Sequence, residues 1–538
     1  MSTRVTISDE LREVEHDIDT AYRTNPLSTM SFAEAAWYFL AYCEERSFRH
    51  LEFGREPSEY NTSCFVDNLV NDMKNPLKWI KESCVPAGNI PRAFSGEAYQ
   101  ASIEMGQLAD QYSSFETAFT YASAGIDKLV LDGDTVSVSG RSFKDESRYE
   151  AYDRLLLQDR PSKTPTLGNV LSHLASSISI HGERFTYPLK ANLLRATVDD
   201  LAPIFDEQFW LPAEWQLPRY TFGEFRQVTS VLRAWGMIHC FARAFAARQG
   251  CPALGYSSSV LTVTSVDLLT RIRACTGLPN KIIASIIDDL TYGERGIRSL
   301  DPALQPLIRL TNNFLAIPSA LLMSSNFERN LTVLINRLPE ERSAYSRLST
   351  EREDISRSRI TKAIKGSAIR LQKGRIPSRP DLPDIDLALI DDTDRTCLIL
   401  ELKAFFAPAE PREIAEKSEE IENGVSQCKK LKEASVEARH AFNRLLGIED
   451  DYLLNFAVSS ETFIGTSNVQ DETVPVVRTS HLLKKLLSAR SLRTVCDWLT
   501  TRNYLPQEGR HFELKETISQ IAKWKLRWYV IVPLDVLN

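Results

Sequence analysis

The spacing of hydrophobic residues changes along this chain of 538 residues. Up to about residue 325, apolar side chains mostly recur three or four positions apart, which predicts amphipathic helices. The clearest of these stretches are 31–49, 97–125, 169–180 and 222–248. Between 128 and 139, apolar residues alternate around Asp132-Gly133, a pattern typical of a β-hairpin. The pattern therefore predicts a mainly α-helical region over 1–325 with one small β-hairpin.

Residues 264–291 contain two helical stretches that are separated by a turn at Gly277-Leu-Pro279. A helix-turn-helix has this spacing, but nothing in the sequence marks a recognition face. An ordinary pair of packed helices is therefore the favoured interpretation.

After residue 325, short apolar runs typical of strands appear between the helical stretches. The predicted order is helix 345–365, strand 368–373, strand 384–389, strand 396–406, helix 411–446, strand 455–464, strand 474–478, helix 481–502 and strand 524–533. Strands that are joined through helices favour a mixed α/β sheet. The sequence therefore predicts a second, α/β domain over 326–538.

Charge is distributed unevenly over this predicted second domain. Residues 326–380 hold thirteen lysines and arginines and six acids, whereas 381–422 hold thirteen acids and four bases. A basic run is ordinarily a solvated helix face, but a metal site beside a polyanion groove also needs this juxtaposition. The net charge of the whole chain is −7, so a basic surface for nucleic acid has to be local.

Composition bears on the compartment. The first thirty residues are acidic and lack an apolar signal core, and no apolar run is long enough to span a bilayer. The nine cysteines are scattered and form no Cys-x-x-Cys pair, which favours reduced thiols. We therefore expect a cytoplasmic protein without a membrane partner.

Ionisable side chains share one face of two neighbouring predicted strands. Because successive side chains of a strand point to opposite faces, Asp386 projects away from Ile385 and Leu387. On the next strand, Glu401 and Lys403 project together, away from the flanking leucines. If the two strands pair, these three ionisable side chains meet near the strand ends.

These residue types suit the hydrolysis of a phosphodiester bond. A hard divalent cation prefers oxygen ligands, and Asp386 and Glu401 supply two of them. Such an ion neutralises phosphate charge and acidifies a bound water. A lysine at position 403 orients that water and stabilises the developing charge. An ionisable pair inside so apolar a strand needs compensation, which a metal site offers.

The run Pro383-Asp-Ile-Asp386, followed by Glu401-Leu-Lys403, resembles the PD-(D/E)xK nuclease superfamily, which has the restriction-endonuclease-like fold. The resemblance covers about residues 345–480 and extends to Gln427 on the helix after the motif. It implies a sheet flanked by helices, a DNA substrate rather than RNA, and Mg²⁺ as the cofactor, for which Mn²⁺ substitutes.

The resemblance also implies roles for individual residues. Asp386 and Glu401 are expected to bind the metal, and the backbone carbonyl of Leu402 to complete its shell. Lys403 is expected to be the catalytic lysine, and Gln427 a residue that supports the site. By analogy of architecture, the helical region recognises the substrate, a partner or a trigger, as in bacterial phage defence or restriction. A homodimer or a partner protein also fits this analogy, since cutting both strands at once needs two sites.

The first helix of such a fold often adds an acid. Glu353 is the preferred candidate because it lies near the apolar face of the predicted helix 345–365, and Glu328 is the next. A solvated helix glutamate is nevertheless the favoured interpretation of Glu353. A second E-L-K run, Glu513-Leu-Lys515, lacks an upstream strand that ends in Asp and is interpreted as coincidental.

Two other functions remain open alongside the metal-dependent nuclease. A catalytically silent module keeps nucleic-acid binding and loses cleavage, whereas a helical interaction scaffold uses the carboxylates only structurally. The chain has no G-x-x-x-x-G-K-[ST] phosphate loop and no H-E-x-x-H motif, which argues against intrinsic ATP hydrolysis and against a zinc protease.

Overall fold

The computed structural model describes residues 8–53, 59–86, 88–91, 93–139, 143–156, 168–182, 184–206, 211–251, 256–297, 300–408 and 410–534. By their contacts the residues divide into two units. The first comprises Met1–Glu15, Ser114–Asp159 and Ser346–Asn538, and the second comprises His16–Ser113 and Arg160–Tyr345. This division differs from the predicted boundary at 325 and 326, because two segments from the first third of the sequence join the C-terminal residues.

Helices occupy most of the first 363 residues and recur between the later strands. Their bounds are α1 Asp9–Thr20, α2 Phe32–Phe53, α3 Glu59–Ser83, α4 Gly96–Ser123, α5 Phe143–Leu156, α6 Gly168–Ser177, α7 Ala191–Asp206, α8 Phe222–Arg248, α9 Tyr256–Ser259, α10 Ser265–Thr276, α11 Asn280–Leu290, α12 Ser319–Ser324, α13 Phe327–Arg337, α14 Arg342–Ala363, α15 Pro411–Glu437, α16 Arg439–Leu446, α17 Thr479–Ser488 and α18 Leu492–Thr500. The protein is thus a mixed α/β structure with a helical region and sheets, as predicted.

The strands form four sheets among the described residues. Their bounds are β1 Lys128–Asp132, β2 Thr135–Ser139, β3 Ser179–His181, β4 Arg184–Thr186, β5 Leu261–Thr264, β6 Ile308–Arg309, β7 Phe314–Ile317, β8 Ile369–Gly374, β9 Ile385–Asp391, β10 Thr396–Lys403, β11 Leu453–Ser460, β12 Val476–Arg478, β13 Phe512–Ile521 and β14 Trp524–Pro533.

The largest sheet of the first unit has the order β12-β11-β10-β9-β8. Strands β8, β9 and β10 are antiparallel neighbours, and β11 and β12 continue the sheet in parallel with β10. The chain passes from β10 to β11 through α15 and α16, as a parallel connection requires. Both strands are almost fully buried because helices cover the sheet, and apolar residues fill about two thirds of the positions of β9 and β10.

A second sheet of the first unit includes the predicted hairpin. Strands β1 and β2 pair around Gly133, which has φ +60°, and β2 pairs in parallel with β14. Strand β13, which the sequence analysis did not predict, completes the order β1-β2-β14-β13. The predicted helix over 411–446 is two helices, since the backbone leaves helical geometry at Ala438, with φ −114° and ψ 35°.

The second unit is mainly helical, and its large buried cluster is rich in aromatic residues. Trp37, Tyr38 and Phe39 of α2 are almost fully buried and pack with residues of α3, α4 and β7. A small antiparallel sheet of order β5-β7-β6 accompanies the helices. Among the described residues, no helix is both long and apolar enough to cross a membrane.

Candidate active site

Asp386 and Glu401 lie beside each other where the pairing of β9 with β10 ends. In this antiparallel register Leu387 faces Leu400, so the next positions outward are those of the two acids. The backbone N–H of Leu402 donates to Oδ2 of Asp386 at 2.8 Å. This bond fixes the Asp386 carboxylate against the strand that carries the glutamate.

Lys403 stands on the same face of β10 as Glu401, two positions further along. Its Nζ donates to Oε1 of Glu401 at 2.8 Å and to Oε1 of Gln427 at 3.1 Å. Glu401 is only 5% exposed, whereas Lys403 and Gln427 are half-buried. The structure therefore brings together Asp386, Glu401, Lys403 and the glutamine from α15 that the sequence singled out.

Helix α15 approaches this cluster closely at Gly424. A β-carbon at Gly424 would lie 2.7 Å from Cε of Lys403 and 3.5 Å from Cγ of Glu401. Separations below about 3 Å are not found in real structures, so only glycine permits this helix position together with this lysine conformation. Gly424 thus defines the space in which the ammonium group lies.

Glu353 of α14 is exposed, yet it lies within electrostatic reach of the cluster. Partial burial raises the pKa of Glu353, and the negative charge of Asp386 raises it further, while Lys403 opposes the shift. Glu353 is therefore close enough to Asp386 and Lys403 for their charges to act on it. Glu328, the alternative acid, belongs to the second unit, where it accepts a hydrogen bond from the backbone N–H of Leu211 at 3.4 Å.

Two bonding groups that the sequence analysis missed hold α14 against the sheet. Arg357 donates from Nε to the backbone carbonyl of Asp386 at 3.2 Å. Glu461, which follows β11 and is 5% exposed, accepts from the Ser356 hydroxyl at 2.5 Å and from Arg359 at 2.9 Å. No local sequence pattern pointed to Glu461, because its partners lie about a hundred residues upstream.

The backbone of Glu461 is also tied to the strand that carries the cluster. Its N–H donates to the carbonyl of Lys403 at 3.0 Å. Glu461 therefore connects the end of β10 with the helix that carries Glu353.

The clustered carboxylates repel one another. Burial raises the pKa of Glu401 well above its usual range, and the charges of Asp386 and Glu353 add to this, while Lys403 lowers it. A bound cation relieves such repulsion. The known bonds use Oδ2 of Asp386 and Oε1 of Glu401, and each ionised carboxylate has a second oxygen that can accept.

The donor set at this place fits a hard divalent cation. Two carboxylates and the carbonyl of Leu402 offer oxygen atoms alone, which Mg²⁺ and Mn²⁺ prefer. Within the described ranges, no group of three or more His, Cys, Asp and Glu side chains gathers as a metal site. The remaining coordination positions of such an ion would be occupied by water or by substrate oxygens, as is usual for magnesium.

The other acids near the motif have structural partners instead. Asp384 precedes β9, is exposed and pairs with Arg375 at 3.2 Å. Asp391, Asp392 and Asp394 lie at the opposite ends of β9 and β10, where Asp391 accepts from the backbone N–H of Thr393 at 3.0 Å. Asp392 pairs with an arginine, and Asp394 accepts from a backbone N–H, so both have local structural roles.

The second E-L-K run, Glu513-Leu-Lys515, lies on β13 and has no buried acid within it. Glu513 and Lys515 are exposed on β13, where Lys515 faces Val530 of β14.

Comparison of the chain with protein-family models, with curated proteins and with solved structures gives no match.

Proposed function

We propose that the first unit is a metal-dependent nuclease that hydrolyses phosphodiester bonds, with DNA as the favoured substrate. The observation that carries this proposal is the convergence of Asp386, Glu401 and Lys403 at one strand end, supported by Gln427 from the following helix. The order helix, three antiparallel strands, helix and parallel strand supports the resemblance to the PD-(D/E)xK nucleases.

In this proposal Asp386 and Glu401 hold the ion, together with the carbonyl of Leu402. When bound, Mg²⁺ supplies charge neutralisation at the phosphate and a more acidic water. Burial of Glu401 and the backbone bond to Asp386 keep the two carboxylates in fixed positions, which lowers the cost of reorganisation during the reaction.

Lys403 has a separate task in this scheme. An ammonium group has three N–H donors, and the bonds to Glu401 and Gln427 use two of them. The third is available to a phosphate oxygen or to the attacking water. Because two acceptors fix the position of Nζ, the donor is already oriented when the substrate arrives.

A cleavage assay tests the proposal. Purified protein is incubated with supercoiled plasmid, linear duplex, single-stranded DNA and RNA in the presence of Mg²⁺, Mn²⁺ or EDTA, beside Asp386→Ala. We expect cleavage that needs the metal and is lost in the variant. Binding of nucleic acid without cleavage of any substrate would favour a silent binding module, and neither binding nor cleavage would favour an interaction scaffold.

A further inference from the structure

The second unit contains a strand, two helices and two further strands in a recognisable arrangement. Strand β5 leads directly into α10, a three-residue turn separates α10 from α11, and β6 and β7 follow as an antiparallel pair. The third strand lies between the other two, in the order β5-β7-β6. Both α10 and α11 pack on α8, which completes a three-helix core. This is the topology of a winged helix, in which a helix-turn-helix is followed by a β-hairpin.

We propose that this part of the chain binds duplex DNA, with α11 lying in the major groove. The proposal does not rest on the cleavage chemistry, because it concerns different residues in the other unit. The three strands distinguish this arrangement from the ordinary pair of packed helices that the sequence favours over 264–291.

The turn between the helices has the features that the motif needs. Gly277 adopts φ +73°, and its N–H donates to the carbonyl of Arg273 at 2.8 Å, which ends α10. Pro279 then precedes α11 with φ −61° and ψ 141°. The two helices are thereby joined through a short and defined turn.

Helix α11 has one buried face and an opposite face that is exposed at both ends and half-buried at its middle, at Ala284 and Ser285. Four apolar residues are buried against the core, namely Ile283, Ile286, Ile287 and Leu290. The opposite face is formed by Asn280, Lys281, Ala284, Ser285 and Asp288, at positions that share one side of a helix. Asn, Lys, Ser and Asp side chains are those that form hydrogen bonds with base edges in the major groove, and a small alanine permits close approach.

The distribution of charge favours an anionic partner at the N-terminal end of this face. Of the acids in this part of the chain, Asp267 pairs with Arg271, Asp289 with Arg295 and Glu294 with Arg309. Asp288 lies at the C-terminal end of the face, about two helical turns away from Asn280 and Lys281. Lys281 and Arg273 are exposed beside the turn. The first residues of the recognition helix are those that contact bases and phosphates in helix-turn-helix complexes.

The loop between β6 and β7 supplies the wing. The N–H groups of Asn313 and Phe314 donate to the Thr311 hydroxyl at 3.3 and 3.2 Å, which shapes a tight loop. Asn312 and Asn313 at its tip are exposed and can donate to phosphate oxygens. DNA fits this surface better than an RNA duplex, whose major groove is too deep and narrow for a helix.

The test measures binding without cleavage. Fluorescence anisotropy of a labelled 30-base-pair DNA duplex is followed with the full chain carrying Lys403→Ala, in EDTA and over a series of salt concentrations. Lys281→Glu is compared with Lys78→Glu, which reverses an exposed lysine on α3 of the same unit. Arg273→Glu serves as a second variant, and circular dichroism verifies the helix content of each.

We expect Lys281→Glu and Arg273→Glu each to weaken binding about tenfold. Each should also reduce the slope of the logarithm of the binding constant against the logarithm of the salt concentration by about one to two, while Lys78→Glu has no effect. The absence of duplex binding by the full chain overturns the proposal. Equal behaviour of the Lys281 and Lys78 variants, or equal affinity for an RNA duplex, also overturns it. Failure of the nuclease proposal is recognised separately, as binding of DNA by wild type without cleavage.

Discussion

Gly424 and Lys403 lie so close together that a β-carbon on the glycine would come within 2.7 Å of the lysine Cε. The Cε atom of Lys403 is near the end of a flexible side chain, so the lysine can move aside without disturbing the backbone. Its ammonium group then leaves the position that the proposed site requires. Alanine also favours a helix over glycine by roughly 1 kcal/mol. We therefore expect Gly424→Ala to leave the free energy of unfolding unchanged or slightly raised.

Cleavage by the same variant should fall by about tenfold to a hundredfold, because small displacements of a catalytic group have effects of this size. Steady-state cleavage kinetics and the thermal unfolding temperature measure the two properties. Ser426→Ala, at an exposed position on the same helix, is the control. Equal activity of both variants contradicts the role assigned to the glycine.

Asp386 and Glu401 should give the protein a measurable response to magnesium. A ligand that binds only the native state raises its stability as the concentration exceeds the dissociation constant. We expect millimolar MgCl₂ to raise the unfolding temperature of wild type and to have no such effect on Asp386→Asn. Asp384→Asn is a matched control, since this exposed acid stands two positions away and pairs with Arg375. A response that persists in Asp386→Asn places the ion elsewhere.

Glu461 should act on the site through α14. Its carboxylate accepts from Ser356 and from Arg359, and both bonds disappear in Glu461→Ala. Because Arg359 is half-exposed, the expected loss of stability is modest, about 1–2 kcal/mol. Cleavage should fall as well, since the helix carries Glu353. Chemical denaturation and cleavage rates test this, and Glu461→Gln, which keeps an acceptor, should recover most of both.

Glu44 should make the stability of the second unit depend on pH. Burial raises the pKa of Glu44 to about 7 from about 4.5, against the opposing charge of Arg243. The folded state therefore keeps a proton that the unfolded chain releases above pH 4.5. The stability that protonated Glu44 contributes is therefore fully present below pH 4.5. The free energy of unfolding falls by up to about 3 kcal/mol as the pH rises through 7.

Glu44→Gln imitates the protonated side chain at every pH and retains an oxygen for the N–H of Ala320. Its unfolding temperature should equal that of wild type at pH 4.5 and exceed it at pH 8. A variant that is less stable than wild type at pH 8 would contradict this assignment.

The cluster was predictable because its signals are local. Alternation along a strand is enough to place Glu401 and Lys403 on one face, and hydrogen bonding between neighbouring strands then brings Asp386 to them. Gln427, in contrast, was expected only from the resemblance to the PD-(D/E)xK nucleases. What local pattern could not give is Glu461, whose buried bonds depend on how a distant helix meets the strand end.

Longer-range pairings were also hidden from the sequence. The hairpin around Gly133 was predicted, but its membership of a sheet with β14 rests on Leu526 facing Val136, nearly four hundred residues apart. Strands β5, β6 and β7 have only two to four residues each, too few for an alternating pattern to stand out. The sequence pattern therefore did not show the strands that distinguish the helix pair over 264–291 from an ordinary pair of packed helices.

The most direct test of the nuclease proposal compares the lysines of the two Glu-Leu-Lys runs, Lys403 and Lys515. Cleavage of plasmid DNA in Mg²⁺ is measured for wild type, Lys403→Ala and Lys515→Ala. Lys515 is the control because the second E-L-K run is exposed on β13 and is not part of the proposed site. We expect Lys403→Ala to lose at least a hundredfold in rate and Lys515→Ala to match wild type. Cleavage that survives in Lys403→Ala, or falls equally in both variants, contradicts a catalytic centre at Asp386, Glu401 and Lys403.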